Sequence, residues 1–126
     1  MDTIHVRNSN NKIIANNVAI AARFFQRARG LLLSKPLKEG AGLWINPCNA
    51  VHTFFMTYSI DVIFLDKNMR ITNILENMSP WRVSPIEKNA QSVLELPAGT
   101  AKKHSVTIGE QLVFQLPDTN KKQQQG

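Results

Sequence analysis

Residues 60–75 read Ile60-Asp61-Val62-Ile63-Phe64-Leu65-Asp66-Lys67-Asn68-Met69-Arg70-Ile71-Thr72-Asn73-Ile74-Leu75. The run Val62 to Leu65 has the β-branched and aromatic character of a pleated, buried surface. Asp66-Lys67-Asn68 supplies turn chemistry, and Ile71, Ile74 and Leu75 resume the apolar pattern beyond it. This is a β-hairpin, and the same signals recur on either side.

Toward the N-terminus, Ile4 and Val6 alternate with polar residues, Asn8-Ser9-Asn10-Asn11 makes a turn, and Ile13-Ile14 restarts the pattern. Val18 and Ile20 suggest a separate strand, with Asn16-Asn17 between the two. Gly40-Ala41-Gly42 turns into Leu43-Trp44-Ile45, which Pro47 closes. Val51 to Met56 has strand composition. Pro80 and Pro85 bracket a loop holding Trp81 and Arg82, and Ser92 to Leu96 is a strand ended by Pro97. Leu112, Phe114 and Leu116 alternate as a last strand.

Two stretches change period. Phe24, Ala28, Leu31 and Leu32 fall at helical spacing with Arg23 and Arg27 one turn apart, which predicts one amphipathic, basic helix over about residues 22–33, stopped by Pro36. Residues 98–104 predict a short helical turn with Lys102 and Lys103 at its favourable end. Many short strands plus one helix indicate a mainly β fold, a small barrel or sandwich of mostly antiparallel strands.

Length and composition bound the organisation. At 126 residues with 43% hydrophobic and 19% charged residues, the chain fits one globular domain over residues 1–116. The polar run 117–126 has nothing to bury and reads as a disordered tail. Cys48 is the only cysteine, so no intrachain disulfide can form. The first seven residues lack the basic and apolar regions of a signal peptide, and no apolar run approaches the roughly 20 residues of a membrane span. The expected location is the cytoplasm.

The net charge of +6 is concentrated: Arg23, Arg27, Arg29, Lys35 and Lys38 face the single acid Glu39 in one segment. Nucleic-acid binding is disfavoured, because no aromatic residues interleave with these cations as a stacking platform requires. A solvated helix face, or a protein-interaction surface on the basic helix, stands instead.

His52 and Asp61 lie in the densest stretch, Cys48 to Asp61, among bulky apolar neighbours. A carboxylate can orient a histidine as general base, and Cys48 with His52 could pair as thiolate and base. A histidine and an aspartate that only bond backbone groups is the bland alternative. Cys48, His5, His52 and His104 are widely spread and lack paired metal-ligand spacing, so no structural metal and no cofactor are expected. Glu95, in Val93-Leu94-Glu95-Leu96-Pro97, alternates with Leu94 and Leu96 and in the simplest case faces solvent. In a closed barrel it would instead face a pocket, where Arg29 is the partner that charge economy supplies. Trp81 and Trp44 could stack on a sugar or aromatic ligand, or serve as loop and core anchors. The candidate ligand-binding residues are therefore Arg29, His52, Asp61, Trp81 and Glu95. The chain has no Gly-rich phosphate loop and no nucleophile elbow.

Arg27-Ala28-Arg29-Gly30-Leu31-Leu32, Gly42-Leu43-Trp44-Ile45, His52-Thr53-Phe54-Phe55-Met56, Ile60 to Asp66, Val93-Leu94-Glu95-Leu96-Pro97-Ala98-Gly99 and Ile108-Gly109-Glu110 follow one another in that order. This succession, from about residue 5 to 116, resembles the domain-of-unknown-function family 192 of bacteria and archaea, in a subgroup with His-Thr-Phe-Phe-Met. The resemblance implies a compact β-barrel or sandwich with a small helical element and implies no particular activity. It associates the subgroup with pilus-assembly and secretion genes, a neighbourhood and not a mechanism. The leading functional expectation is a non-enzymatic binding or accessory domain, in envelope or pilus-type assembly by that association. A small-molecule or enzymatic pocket on His52, Asp61, Glu95 and Arg29 is the alternative. Ligand, protein partner and oligomeric state are not set by the sequence.

Overall fold

A computed structural model describes residues 3–21, 36–54 and 56–116. Among them seven strands form one sheet: β1 (Thr3–Arg7), β2 (Ile13–Ala21), β3 (Ala41–Ile45), β4 (Ile60–Leu65), β5 (Ile71–Met78), β6 (Ser92–Pro97) and β7 (Val113–Gln115), with a short helix α1 (Thr100–Lys103) before β7. The strand order is β5-β4-β6-β3-β2-β1-β7. Only β2 and β3 are parallel neighbours, so the mostly antiparallel, mainly β expectation holds, as does the helical turn within 98–104. A parallel pair needs a crossover, and residues 22–40 provide it. The amphipathic helix expected over 22–33, with Arg23, Arg27 and Arg29, lies outside the described residues, as does the tail 117–126.

The decisive hairpin forms as its sequence requires. Asp66 Oδ1 accepts the N–H groups of Asn68 and Arg70 at 2.8 and 3.0 Å, and its carbonyl accepts the Met69 N–H at 3.0 Å. Met69 takes a left-handed φ of 63° to turn the chain. Two expectations are corrected. Residues 13–21 are one strand, since Asn16 and Asn17 stay in the extended chain and both donate their N–H to the Gly40 carbonyl. Residues 51–54 and Met56 form no strand; the N–H and carbonyl groups of Val51 and Thr53 turn to a distant loop, Phe54 and Met56 donate theirs locally, and His52 makes a bridge with Val83.

The sheet is strongly curled into a half-barrel. The core on one face holds Ile4, Val6, Val18, Ile63, Leu65, Leu94 and Leu96. On the opposite face Leu43, Ile45, Val62, Phe64 and Val93 meet Cys48, Val51 and Met56, brought over by the connection between β3 and β4. Both faces are thus covered, which is why every residue of β4 is buried. In β3, a Cβ on Gly42 would lie 2.9 Å from the Glu95 carbonyl oxygen, so the close approach of β6 demands glycine there.

The two sheet edges are tied at one end. Ile71 donates its N–H to Glu110 at 2.9 Å and accepts that of Gly109 at 2.7 Å, and Leu112 donates to Met69 at 2.9 Å. Glu110 also accepts the Ser9 N–H and hydroxyl at 3.0 and 2.7 Å and the Thr107 N–H at 3.2 Å, pinning the β1–β2 turn to the approach to β7. Farther along β5, Asn73 Oδ1 covers the Ile74 N–H at 2.8 Å, which blunts the free edge.

Candidate functional site

Four main-chain contacts zip residues 48–53 to residues 82–91. Cys48 donates its N–H to Gln91, Glu87 to Asn49, Ser84 to Val51 and Thr53 to Arg82, all at 2.8–2.9 Å. The Ser84 hydroxyl accepts the Val51 N–H at 2.9 Å. Pro80 and Pro85 flank this second loop and cannot donate, so side chains complete the bonding.

Thr53 is the centre of it. Wholly buried, it donates its hydroxyl to the Ser79 carbonyl at 2.6 Å and accepts the Arg82 N–H on the same oxygen at 2.9 Å. Its carbonyl accepts the Trp81 N–H at 3.0 Å. The segment 79–82 is therefore held on three sides by one residue. Clamped between these bonds, Trp81 adopts a φ of 62°. A left-handed backbone is a genuine outlier for so bulky a residue and costs about 1–3 kcal/mol.

The Trp81 side chain is 59% exposed. Its ring lies 5.9 Å from that of Phe54, which stacks at 4.8 Å on His52. His52 Nδ1 accepts the Phe54 N–H at 3.3 Å. Val83 and Ile86 continue the same loop at 65% and 71% exposure. The result is an aromatic corner flanked by apolar side chains that project into water from a rigidly bonded base.

The other predicted site residues fall elsewhere. Asp61 is fully buried, with Oδ1 accepting the Asn77 N–H at 2.9 Å and Oδ2 those of Gly99 and Ala101 at 3.1 and 2.9 Å. It stands opposite Leu96, on the face of Ile63 and Leu94. Glu95 stands opposite Val62 and Leu43 on the other face. The two carboxylates thus point to opposite sides of the sheet and share no pocket. The simplest expectation for Glu95, solvent, is overturned: it is completely buried, because the face opposite Leu94 and Leu96 is covered as well. Arg29 lies outside the described residues. Cys48 is buried and donates to the Ala50 carbonyl at 3.1 Å.

Of the residues at this corner, sequence reasoning singles out His52 and Trp81; it does not single out Thr53 as their buried support, nor Phe54, Val83 and Ile86 beside them. The available signal was a tryptophan between two prolines with apolar residues on a turn-rich loop. A polar cleft of about 760 Å³ lined by Ser9, Arg70, His104 and Thr107 lies apart from the corner, and its carboxylate, Glu110, is occupied by the bonds already described. Among the described residues no three His, Cys, Asp or Glu side chains converge as metal ligands, and no helix is long and apolar enough to cross a membrane.

Comparison with known proteins gives consistent matches. The family model described as DUF192, uncharacterized ACR, matches residues 4–114. The UPF0127 protein of Pyrococcus horikoshii is 34% identical over 112 residues, covering 85% of this chain and 95% of that protein. The UPF0127 protein of Thermococcus sibiricus is 31% identical over 118 residues, covering 90% and 75%. A crystal structure of a protein of unknown function from Novosphingobium aromaticivorans superposes with a TM-score of 0.72 at 20% identity, over 87% of this chain and 82% of that one. A crystal structure of a putative transcription regulator from Sinorhizobium meliloti gives 0.74 at 21%, over 90% and 92%. At such identities the two structures show the shared fold alone.

Proposed function

The chain belongs to the DUF192 family, which has no established biochemical role, and from that premise we propose that it is a non-enzymatic binding domain whose recognition surface is the corner of His52, Phe54 and Trp81. One observation carries this reading. A buried threonine holds an exposed tryptophan in a strained backbone conformation, and strain of this kind is retained where a surface has to be preorganised.

The groups that could have made a catalytic dyad are engaged otherwise. His52 Nδ1 takes the Phe54 N–H, and both Asp61 oxygens take backbone N–H groups. The rings offer flat apolar area at little cost in side-chain freedom, which is how tryptophan comes to dominate binding hot spots. Arg82, exposed beside Trp81, adds a cation to the rim.

The test is a titration of the full chain with anilinonaphthalene sulfonate, an anionic aromatic probe, followed by backbone and indole NMR shifts. Shifts centred on Phe54, Trp81 and Val83, lost in a folded Trp81→Ala variant, are expected. Shifts centred elsewhere, or turnover of a general esterase, phosphatase or glycosidase substrate that disappears in His52→Ala, would overturn the reading.

A further inference from the structure

We propose that the aromatic corner docks the protein reversibly onto an anionic membrane surface, with Trp81, Val83 and Ile86 entering the headgroup layer and Arg82 and Lys88 meeting its negative charge. This rests on the reading of the corner as the recognition surface and names its occupant.

Three large apolar side chains within six residues of one loop stand 59%, 65% and 71% exposed. A small-molecule site buries such groups in a concave lining. Here most of each side chain projects outward, the disposition of a group that enters a soft apolar phase. Tryptophan has the amphipathic ring that settles at headgroup level, and valine and isoleucine supply the deeper apolar contact.

The charges agree in sign. Arg82 and Lys88 are exposed on the same loop. The loop's one acid, Glu87, is half-buried and accepts a 2.6 Å hydrogen bond from Asn73 Nδ2, so it is held against β5 instead of standing at the tip. The whole chain carries a net +6. Basic residues near an anionic leaflet are attracted to it, and apolar insertion then retains them. The bonding around Thr53 and Ser84 keeps the three side chains presented together, so little ordering remains for the moment of contact.

The experiment is co-sedimentation of the full chain with vesicles of mixed phosphatidylcholine and phosphatidylglycerol against pure phosphatidylcholine. Indole emission is read in a Trp44→Phe background, which leaves Trp81 as the only tryptophan. Expected are sedimentation with the anionic vesicles alone, a blue shift of Trp81 emission, and weakening in high salt. Trp81→Ala and Arg82→Glu, each shown folded by circular dichroism, should each lower partitioning by about tenfold or more. Equal partitioning into neutral vesicles overturns the anionic charge as a determinant, and a protein that stays in the supernatant overturns the membrane as occupant. Retained response to the aromatic probe would in that case leave the corner standing as a site for a soluble partner. Undiminished vesicle binding by Trp81→Ala overturns the proposal in the other direction, by placing the contact on charges elsewhere.

Discussion

Both oxygens of the Asp61 carboxylate serve main-chain N–H groups, one on β5 and two at the start of α1. Gly99, at the head of that helix, has no side chain to cap it, and Asp61, 38 positions earlier, does so instead. Asp61→Ala would leave three N–H groups without their acceptor, and a loss of about 3 kcal/mol or more is expected, read as a lower midpoint in urea unfolding. Glu95 presents a different problem on the far face. A buried carboxylate costs several kcal/mol unless a cation meets it, and we propose Arg29, the partner that charge economy supplies, as that cation for the wholly buried Glu95. A double-mutant cycle of Glu95→Gln and Arg29→Gln should return a coupling above about 1 kcal/mol; additive losses would remove Arg29 from the role. Alternation, a property of the strand itself, puts Glu95 on the face opposite Leu94 and Leu96 but leaves open whether that face meets solvent or a covered interior. What lies on that side depends on residues from other parts of the chain, and alternation carries no information about them.

Loops, more than strands, set the candidate site, and they were the least legible part. Val51 to Met56 has strand composition, and Val51 and Met56 do pack against the sheet, yet the hydrogen bonds of Val51 and Thr53 run to residues 79–84. The importance of Thr53 was invisible in one dimension, since its partners Ser79 and Arg82 are 26 and 29 residues away. By contrast the β4–β5 hairpin was readable throughout, because Asp66 and its partners lie within four residues. Thr53→Val keeps the shape but removes the hydroxyl that links Ser79 to Arg82. We expect a destabilisation of about 1–3 kcal/mol and, more tellingly, faster hydrogen exchange confined to residues 79–84. Uniform acceleration across the sheet would show instead that the clamp supports the whole domain.

At the scale of the molecule, curvature and closure are what the sequence left open between barrel and sandwich. The deciding contacts join residues about 40 and 100 positions apart, Ile71 with Gly109 and Glu110, and Ser9 with Glu110. Burial alone would raise the Glu110 carboxyl, but the Ser9 N–H and hydroxyl and the Thr107 N–H outweigh it and hold the group below the usual carboxylate range. A pKa depressed by folding gives stability that is present above the unfolded value of about 4.3 and is lost as pH falls through the folded value. Acid unfolding followed by circular dichroism should therefore show a shallower loss below about pH 4 in Glu110→Gln, with the variant less stable than the parent at neutral pH. An unchanged acid limb would exclude Glu110 as a contributor.

One strand has an outsized place in that architecture. Among the described residues, β6 is the strand that pairs the β4–β5 hairpin with β3, and through it with β2, β1 and β7, in the sheet order. On a translating ribosome, β3 and β4 emerge with their future neighbour still unmade, and both wait with an apolar edge bare until residue 97 has cleared the exit tunnel. That interval is when the nascent chain is most open to wrong pairing and most in need of a chaperone.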